Sequence, residues 1–115
     1  MQSKTYSVYI LSNFARSVFY IGVTNDLVRR IIEHRNSQNS FCAKYNCRYL
    51  MYYEDYSDVR NAIAREKQLK NWKRQWKIDL IRKDNPDLHD LSEAWIERDP
   101  GFPNQVRDRL ARGDN

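Results

Sequence analysis

Glycine and proline are scarce in this chain of 115 residues, with three of each, and it holds only two cysteines and two histidines. Each shortage removes a class of chemistry. Three glycines cannot build a glycine-rich phosphate loop, which brings several backbone N–H groups close to a ligand. No serine stands in a nucleophile-elbow context, and no two histidines fall at the spacing of a metal-binding pair. Cys42 and Cys47 have four residues between them, a spacing that suits neither a zinc knuckle nor a redox pair. Both are expected to be free thiols in a reducing cytoplasm. Long apolar runs are missing as well: Val8-Tyr9-Ile10-Leu11 is far too short for a signal-peptide core or a membrane span. The expectation is a cytoplasmic protein with no membrane partner.

What is present is a single domain's worth of core and a lopsided charge. Hydrophobic residues make up 41% of the chain, and its net charge is +5. Residues 1–83 hold 16 Lys and Arg against 7 Asp and Glu, whereas residues 84–115 hold 4 against 8. The basic part calls for a polyanionic partner, nucleic acid ahead of anionic membrane.

Residues 5–11 and 18–23 are rich in β-branched and aromatic side chains and read as strands, joined as a hairpin by a short polar segment. With Leu11 opposite Val18, Tyr9 falls opposite Tyr20 and both project from one face. A helix follows, capped by Asp26, with Leu27, Val28, Ile31 and Ile32 as its apolar stripe and Arg30 and His34 together beside it. The segment 36–40 is polar, and residues 48–54 read as a third strand. A second helix is expected from Ser57 or Asp58 through the 60s, bending near 72–76, with Val59, Ala62, Ile63 and Leu69 on its apolar face. From residue 84 the chain turns acidic, Pro100-Gly101-Phe102-Pro103 breaks it, and residues 105–112 suit a short last helix. This predicts a domain over 1–91 and an extension over 92–115, partly ordered by Leu88, Leu91, Trp95 and Ile96. The class is α+β, a small three-stranded, mainly antiparallel sheet flanked by helices.

Two features carry chemistry. Glu66 falls in the middle of an apolar helix face, where a carboxylate is costly unless it is paired or binds a metal. The alternative is a stripe-edge Glu that reaches solvent or pairs with Lys70. Residues 60–83 are densely basic, with Trp72 and Trp76 interleaved. Lys44, Lys67, Lys70, Lys73, Arg74 and Lys77 are the candidate phosphate contacts. The two tryptophans suit packing more than base stacking, because large aromatics usually anchor a core.

Ser7-Val8-Tyr9, ten further residues, then Tyr20-Ile21-Gly22 resembles the paired signature of the GIY-YIG nuclease superfamily. Arg30 lies ten residues after Tyr20, as that family's arginine does, and His34 matches a histidine found in many members. Arg65-Glu66-Lys67 sits where the family carries its metal-binding glutamate. The stretch 65–79, with Asn85-Pro86 after it, is similar to the small stand-alone bacterial endonuclease subfamily, and the likeness spans about residues 4–91. Ser7 departs from the signature's glycine. The family often has a late asparagine near its site, for which Asn85 is the best candidate.

The resemblance implies phosphodiester hydrolysis with one divalent cation, Mg2+ or Mn2+, held by Glu66. It implies that Arg30 grips the phosphate, that Tyr9 takes a proton from the attacking water, and that Tyr20 orients water or phosphate. His34 assists proton transfer or binds phosphate. The expected substrate is DNA, chosen by structure or strandedness, with single-stranded and branched forms as candidates and RNA as the alternative. Two rivals remain: a nucleic-acid-binding module that does not cleave, and an interaction module working through the acidic tail with Trp95 and Phe102. Oligomeric state is not legible.

Overall fold

The structure is a computed structural model, and it describes residues 4–35, 46–93 and 95. Lys44, Cys42, Ile96, Phe102 and the helix expected over 105–112 lie outside the described residues. Among those described, the order is β1 (Tyr6–Ser12), β2 (Phe19–Thr24), α1 (Leu27–Arg35), β3 (Tyr49–Tyr56), α2 (Val59–Lys70) and α3 (Arg74–Asp84). The fold is α+β, with one antiparallel sheet in the order β2-β1-β3.

Side chains alternate across a strand, so the central strand feeds two cores. Val8 and Ile10 join Ile21, Ala62, Leu69 and Ile81 beneath α2 and α3. Tyr9 and Leu11 join Ile31, Cys47 and Leu50 on the α1 face, with Leu91 and Trp95 against them. At their centres Val8, Ile10, Leu11, Leu50 and Leu69 are fully buried. Each such side chain contributes about 1.5–3 kcal/mol.

The hairpin register differs from the sequence expectation by two residues. Tyr9 pairs with Gly22 and Leu11 with Tyr20, not Tyr9 with Tyr20. The reason lies in the loop, which is tied off one step further out. Asn13 N–H donates to Val18 O at 3.3 Å, the Asn13 side-chain oxygen accepts from the Ser17 and Val18 N–H groups, and Arg16 takes a left-handed φ of 59°. A two-residue shift preserves parity, so Tyr9 and Tyr20 still share a face, as diagonal neighbours.

The helices bury narrower stripes than expected. On α1 the N-cap role of Asp26 holds, its carboxylate accepting from Arg29 N–H at 3.2 Å, but Val28 is exposed. On α2 the buried positions are Ala62 and Leu69, while Val59 and Ile63 are exposed. A sheet only three strands wide covers little of each helix. The expected bend near 72–76 is a break: α2 ends at Lys70, Asn71 and Trp72 N–H groups close onto Gln68 O and Leu69 O, and Lys73 is extended before α3 begins. Trp72 falls in the break, packed at the edge of the core, whereas Trp76 is 51% exposed. The packing role expected for both tryptophans therefore applies to one. Among the described residues, no helix is long and apolar enough to cross a membrane.

The edge of β3 is closed by the chain after α3. The β1–β3 register slips between Ile10 and Leu11, leaving Met51 as an extra bulged residue. Its carbonyl accepts from Asn85 Nδ2 at 3.1 Å, and the same amide group also donates to His89 O and accepts from His89 N–H. Leu91 N–H then donates to Leu50 O, and the Asp90 carboxylate accepts from Leu50 N–H. Asn85, only 4% exposed, is thus fully occupied in joining α3 to β3. Replacing it by alanine should cost about 1–3 kcal/mol in urea unfolding, the penalty for orphaned buried polar groups. The folded fraction of Asn85→Ala should keep any activity of the wild type.

Candidate active site

The Tyr9 hydroxyl is the hub of a polar cluster on the α1 face. It lies 3.1 Å from His34 Nε2 and accepts from Arg30 Nε at 3.4 Å. Arg30 and His34 are one helical turn apart on α1, which therefore aims both at the same strand position. Tyr20 completes the group, its ring centroid 5.2 Å from that of His34 and 6.2 Å from that of Tyr9. Tyr9 and His34 are each 1% exposed, while Arg30 keeps about a third of its side chain at the surface.

Gly22 makes the cluster possible. A Cβ built there would sit 2.6 Å from Tyr9 Cζ and closer still to the hydroxyl. The glycine is needed for space, because the aromatic ring of Tyr9 lies across the backbone of its cross-strand partner. The Ser7 position, where the resemblance expects glycine, is filled without conflict. Its hydroxyl donates to Asp55 Oδ1 at 2.7 Å and ties β1 to β3.

Burial and the neighbouring Arg30 charge push the His34 pKa down to about 4, with Glu33 opposing weakly, so the imidazole is neutral near pH 7. Arg30 is held still more firmly protonated, chiefly by its bonds to Tyr9 and Glu33, with Tyr20 acting in the same sense. The Glu33 contact, 2.9 Å from an Arg30 terminal nitrogen, was not anticipated. The spacing of three on a helix was the available signal.

Glu66 approaches from the other layer. It lies on the buried stripe of α2 between Ala62 and Leu69, its side chain 16% exposed, and pairs with Lys70 at 3.0 Å. Both alternatives read from the sequence are therefore realised in part: the carboxylate faces inward, and a lysine balances it. The rotation of α2 is set one residue earlier. Arg65 forks onto Glu54 at 2.9 and 3.0 Å, and Glu54 also accepts from the Tyr52 and Tyr56 hydroxyls at 2.6 and 2.7 Å. Burial alone would raise the Glu54 pKa, but these donors outweigh it and lower it.

The two layers meet at the edge of β2. An open hollow of about 350 Å³ is lined by Phe19, Tyr20, Ile21, Lys70 and Lys77. Tyr20 belongs to one face of β2, and Phe19 and Ile21 to the other, so the hollow straddles the strand's edge. Lys70, the partner of Glu66, and Tyr20, which packs on His34, share it. Lys67 and Lys73 are exposed nearby in sequence. Arg74 is engaged by the hairpin loop, donating to Ser17 O and lying over the Phe19 ring. Asn85, at the end of α3, is bonded to β3 at the opposite edge of the sheet and does not join the cluster. Among the described residues, no three His, Cys, Asp or Glu side chains converge to form a metal cage. The donor set still suits a hard divalent cation. Glu66 offers a partly buried carboxylate already balanced by positive charge, and half-exposed Lys70 can swing away to solvent.

Tyr9, Tyr20, Arg30 and His34 thus cluster on one face of the sheet, and Glu66 lies in the layer on the other. Residues 5–79 match the GIY-YIG catalytic domain, and the chain belongs to that family of nucleases. It is 33% identical over 63 residues to UPF0213 protein SSP2268 of Staphylococcus saprophyticus, covering 54% of this chain and 77% of the relative. It is also similar to the solution NMR structure of UPF0213 protein BH0048 from Bacillus halodurans, with 24% identity and a TM-score of 0.48. That likeness covers 72% of this chain and 88% of the other.

Two outcomes follow from this geometry. Gly22→Ala should lower stability by about 1–3 kcal/mol, because the Tyr9 ring must move to admit the methyl group. The unfolded chain protonates His34 near pH 6.5, and the folded protein does so only near 4. Stability should therefore fall as pH drops from 7 to 5, by about 2 kcal/mol from this residue. The slope of the urea midpoint against pH should flatten in His34→Gln.

Proposed function

We propose that the protein is a metal-dependent endonuclease that hydrolyses DNA phosphodiester bonds, selecting substrates by strandedness or structure rather than base sequence. The observation that carries this reading is the Tyr9 hydroxyl held between Arg30 and neutral His34. Arginine can only donate, so it leaves the phenolic proton for His34 Nε2. In that arrangement Tyr9 accepts a proton from the attacking water as its own passes toward the imidazole. The guanidinium alongside stabilises negative charge on the phenolic oxygen.

The exposed edge of Arg30 faces the phosphate and opposes the charge that grows as water adds to phosphorus and the P–O bond to the leaving nucleotide breaks. Tyr20 packs on His34 and lines the β2-edge hollow, where it orients the phosphate or the water. Glu66 would hold one Mg2+ or Mn2+, whose charge supplies Lewis-acid stabilisation at a phosphate oxygen. Lys70, released from Glu66 when the carboxylate is otherwise engaged, is positioned for a second phosphate oxygen.

Lys67, Lys70, Lys73 and Lys77 form the basic approach to this edge, with Lys44, outside the described residues, a further candidate from the sequence. Arg74, engaged by the hairpin loop, has a weaker claim. Basic residues at the start of α3 oppose the helix dipole, a local conflict that bound phosphate relieves.

A nuclease assay on single-stranded, duplex and branched DNA tests the proposal. Wild type should cut at least one substrate in Mg2+ and none in EDTA. Glu66→Gln should lose cleavage but retain DNA binding, and Arg30→Ala should cut about 100–1000-fold more slowly. Binding without cleavage by wild type, on every substrate, would establish a non-cleaving module instead.

A further inference from the structure

Helix α3 separates two hollows. The first is the one at the β2 edge, to which it contributes Lys77. The second, about 410 Å³ and open to solvent, is lined by Trp72, Trp76, Asp79, Leu80 and Lys83. Trp76 and Lys77 are consecutive residues, so their side chains leave the helix about 100° apart within a single turn. The two hollows are neighbours across one helix.

The second hollow has the chemistry of a heterocycle site. The Trp72 and Trp76 rings stand at 84° with centroids 6.0 Å apart, forming a corner with a floor and a wall. Trp76 keeps half its surface exposed in that corner. Cations stand by both rings, the Arg65 guanidinium 5.2 Å from the Trp72 centroid and the Lys73 ammonium 5.8 Å from that of Trp76. The rim offers an acceptor, Asp79, steadied by Gln75 Nε2 at 2.9 Å, and a donor, Lys83. An aliphatic occupant would leave both rim groups unmatched. A nucleobase meets both, stacking on indole while its edge presents donors and acceptors.

We propose that the Trp72–Trp76 corner holds an unpaired base of the strand whose scissile phosphate lies in the β2-edge hollow. Trp76 is then a specificity-determining residue that favours single-stranded over paired DNA. This rests on the nuclease reading above. A base inside a duplex is already stacked and paired, and cannot enter the corner without being extruded.

The test scans one abasic site along a single-stranded DNA oligonucleotide with wild type, Trp76→Leu and Trp76→Tyr. Binding is read in EDTA by quenching of tryptophan fluorescence, which Trp72 and Trp95 still report in the variants, and cleavage is read in Mg2+. In wild type, one abasic position within a few nucleotides of the cut should weaken binding by about 5–150-fold, the range of a single base–aromatic stack. Trp76→Leu should bind the intact strand more weakly by a similar factor and lose its sensitivity to that position, and Trp76→Tyr should recover much of both. Wild-type affinity in Trp76→Leu, or an unchanged abasic profile, overturns the proposal. Cleavage without the coupling sinks the base site alone, whereas the coupling without cleavage sinks the nuclease reading and leaves the base site standing.

Discussion

The contact between the Tyr9 ring and the backbone of Gly22 constrains everything around it. Tyr9 is on the central strand, where a large side chain would ordinarily be covered by a neighbour's side chain on the edge strand. Gly22 offers none, and the hydroxyl end of the Tyr9 ring takes the space a Cβ would fill. This fixes the height of the hydroxyl above the sheet and hence where α1 must place Arg30 and His34. It also keeps the hydroxyl within the protein, beside an imidazole that its own burial and the Arg30 charge hold neutral. Any substitution that lifts the ring alters distance, burial and protonation together.

The opposite layer is held by a second polar device of similar economy. The Glu54 carboxylate satisfies two tyrosine hydroxyls of its own strand and a forked Arg65, so α2 cannot rotate without breaking charge-assisted bonds. Glu66 is the next residue, and its direction is inherited from that clamp. Its pairing with Lys70 keeps an inward carboxylate tolerable before any ligand arrives. The same lysine links Glu66 to the hollow that Tyr20 lines, so side chains from the two faces of the sheet meet at its β2 edge.

Much of this was legible in the chain itself, and the exceptions have common causes. That Tyr9 and Tyr20 share a face could be read because strand periodicity is two, and an error of two residues does not disturb it. The pairing itself could not, because it depends on how Asn13 caps the loop and on a left-handed Arg16. Glu66 announced itself as a carboxylate on an apolar stripe, whereas the stripe's width misled. Val28, Val59 and Ile63 look like core by spacing, but a three-stranded sheet has no room for them. Trp72 and Trp76 are four apart and invite a single role. An interruption near them was legible, but it is a full break at residues 71–73, which gives Trp72 to the core edge and Trp76 to solvent.

The two edges of the sheet have opposite fates, and the difference bears on function. Edge strands expose unpaired backbone groups and invite unwanted pairing unless they are covered or charged. On β3 the chain after α3 supplies the cover, with Asn85 filling the bulge at Met51 and Asp90 and Leu91 taking up the backbone groups of Leu50. That use of Asp90 accounts for part of the acidic composition after residue 84: it closes an edge by satisfying backbone N–H groups, a role that needs an acceptor. On β2 no described segment plays that part. Lys70 of α2 and Lys77 of α3 flank it instead, and they guard the edge by charge. Among the described residues, polar side chains thus seal one edge, while the other stands beside the buried Tyr9 and His34 and the part-exposed Arg30, and by that asymmetry an extended polyanion has a defined direction of approach.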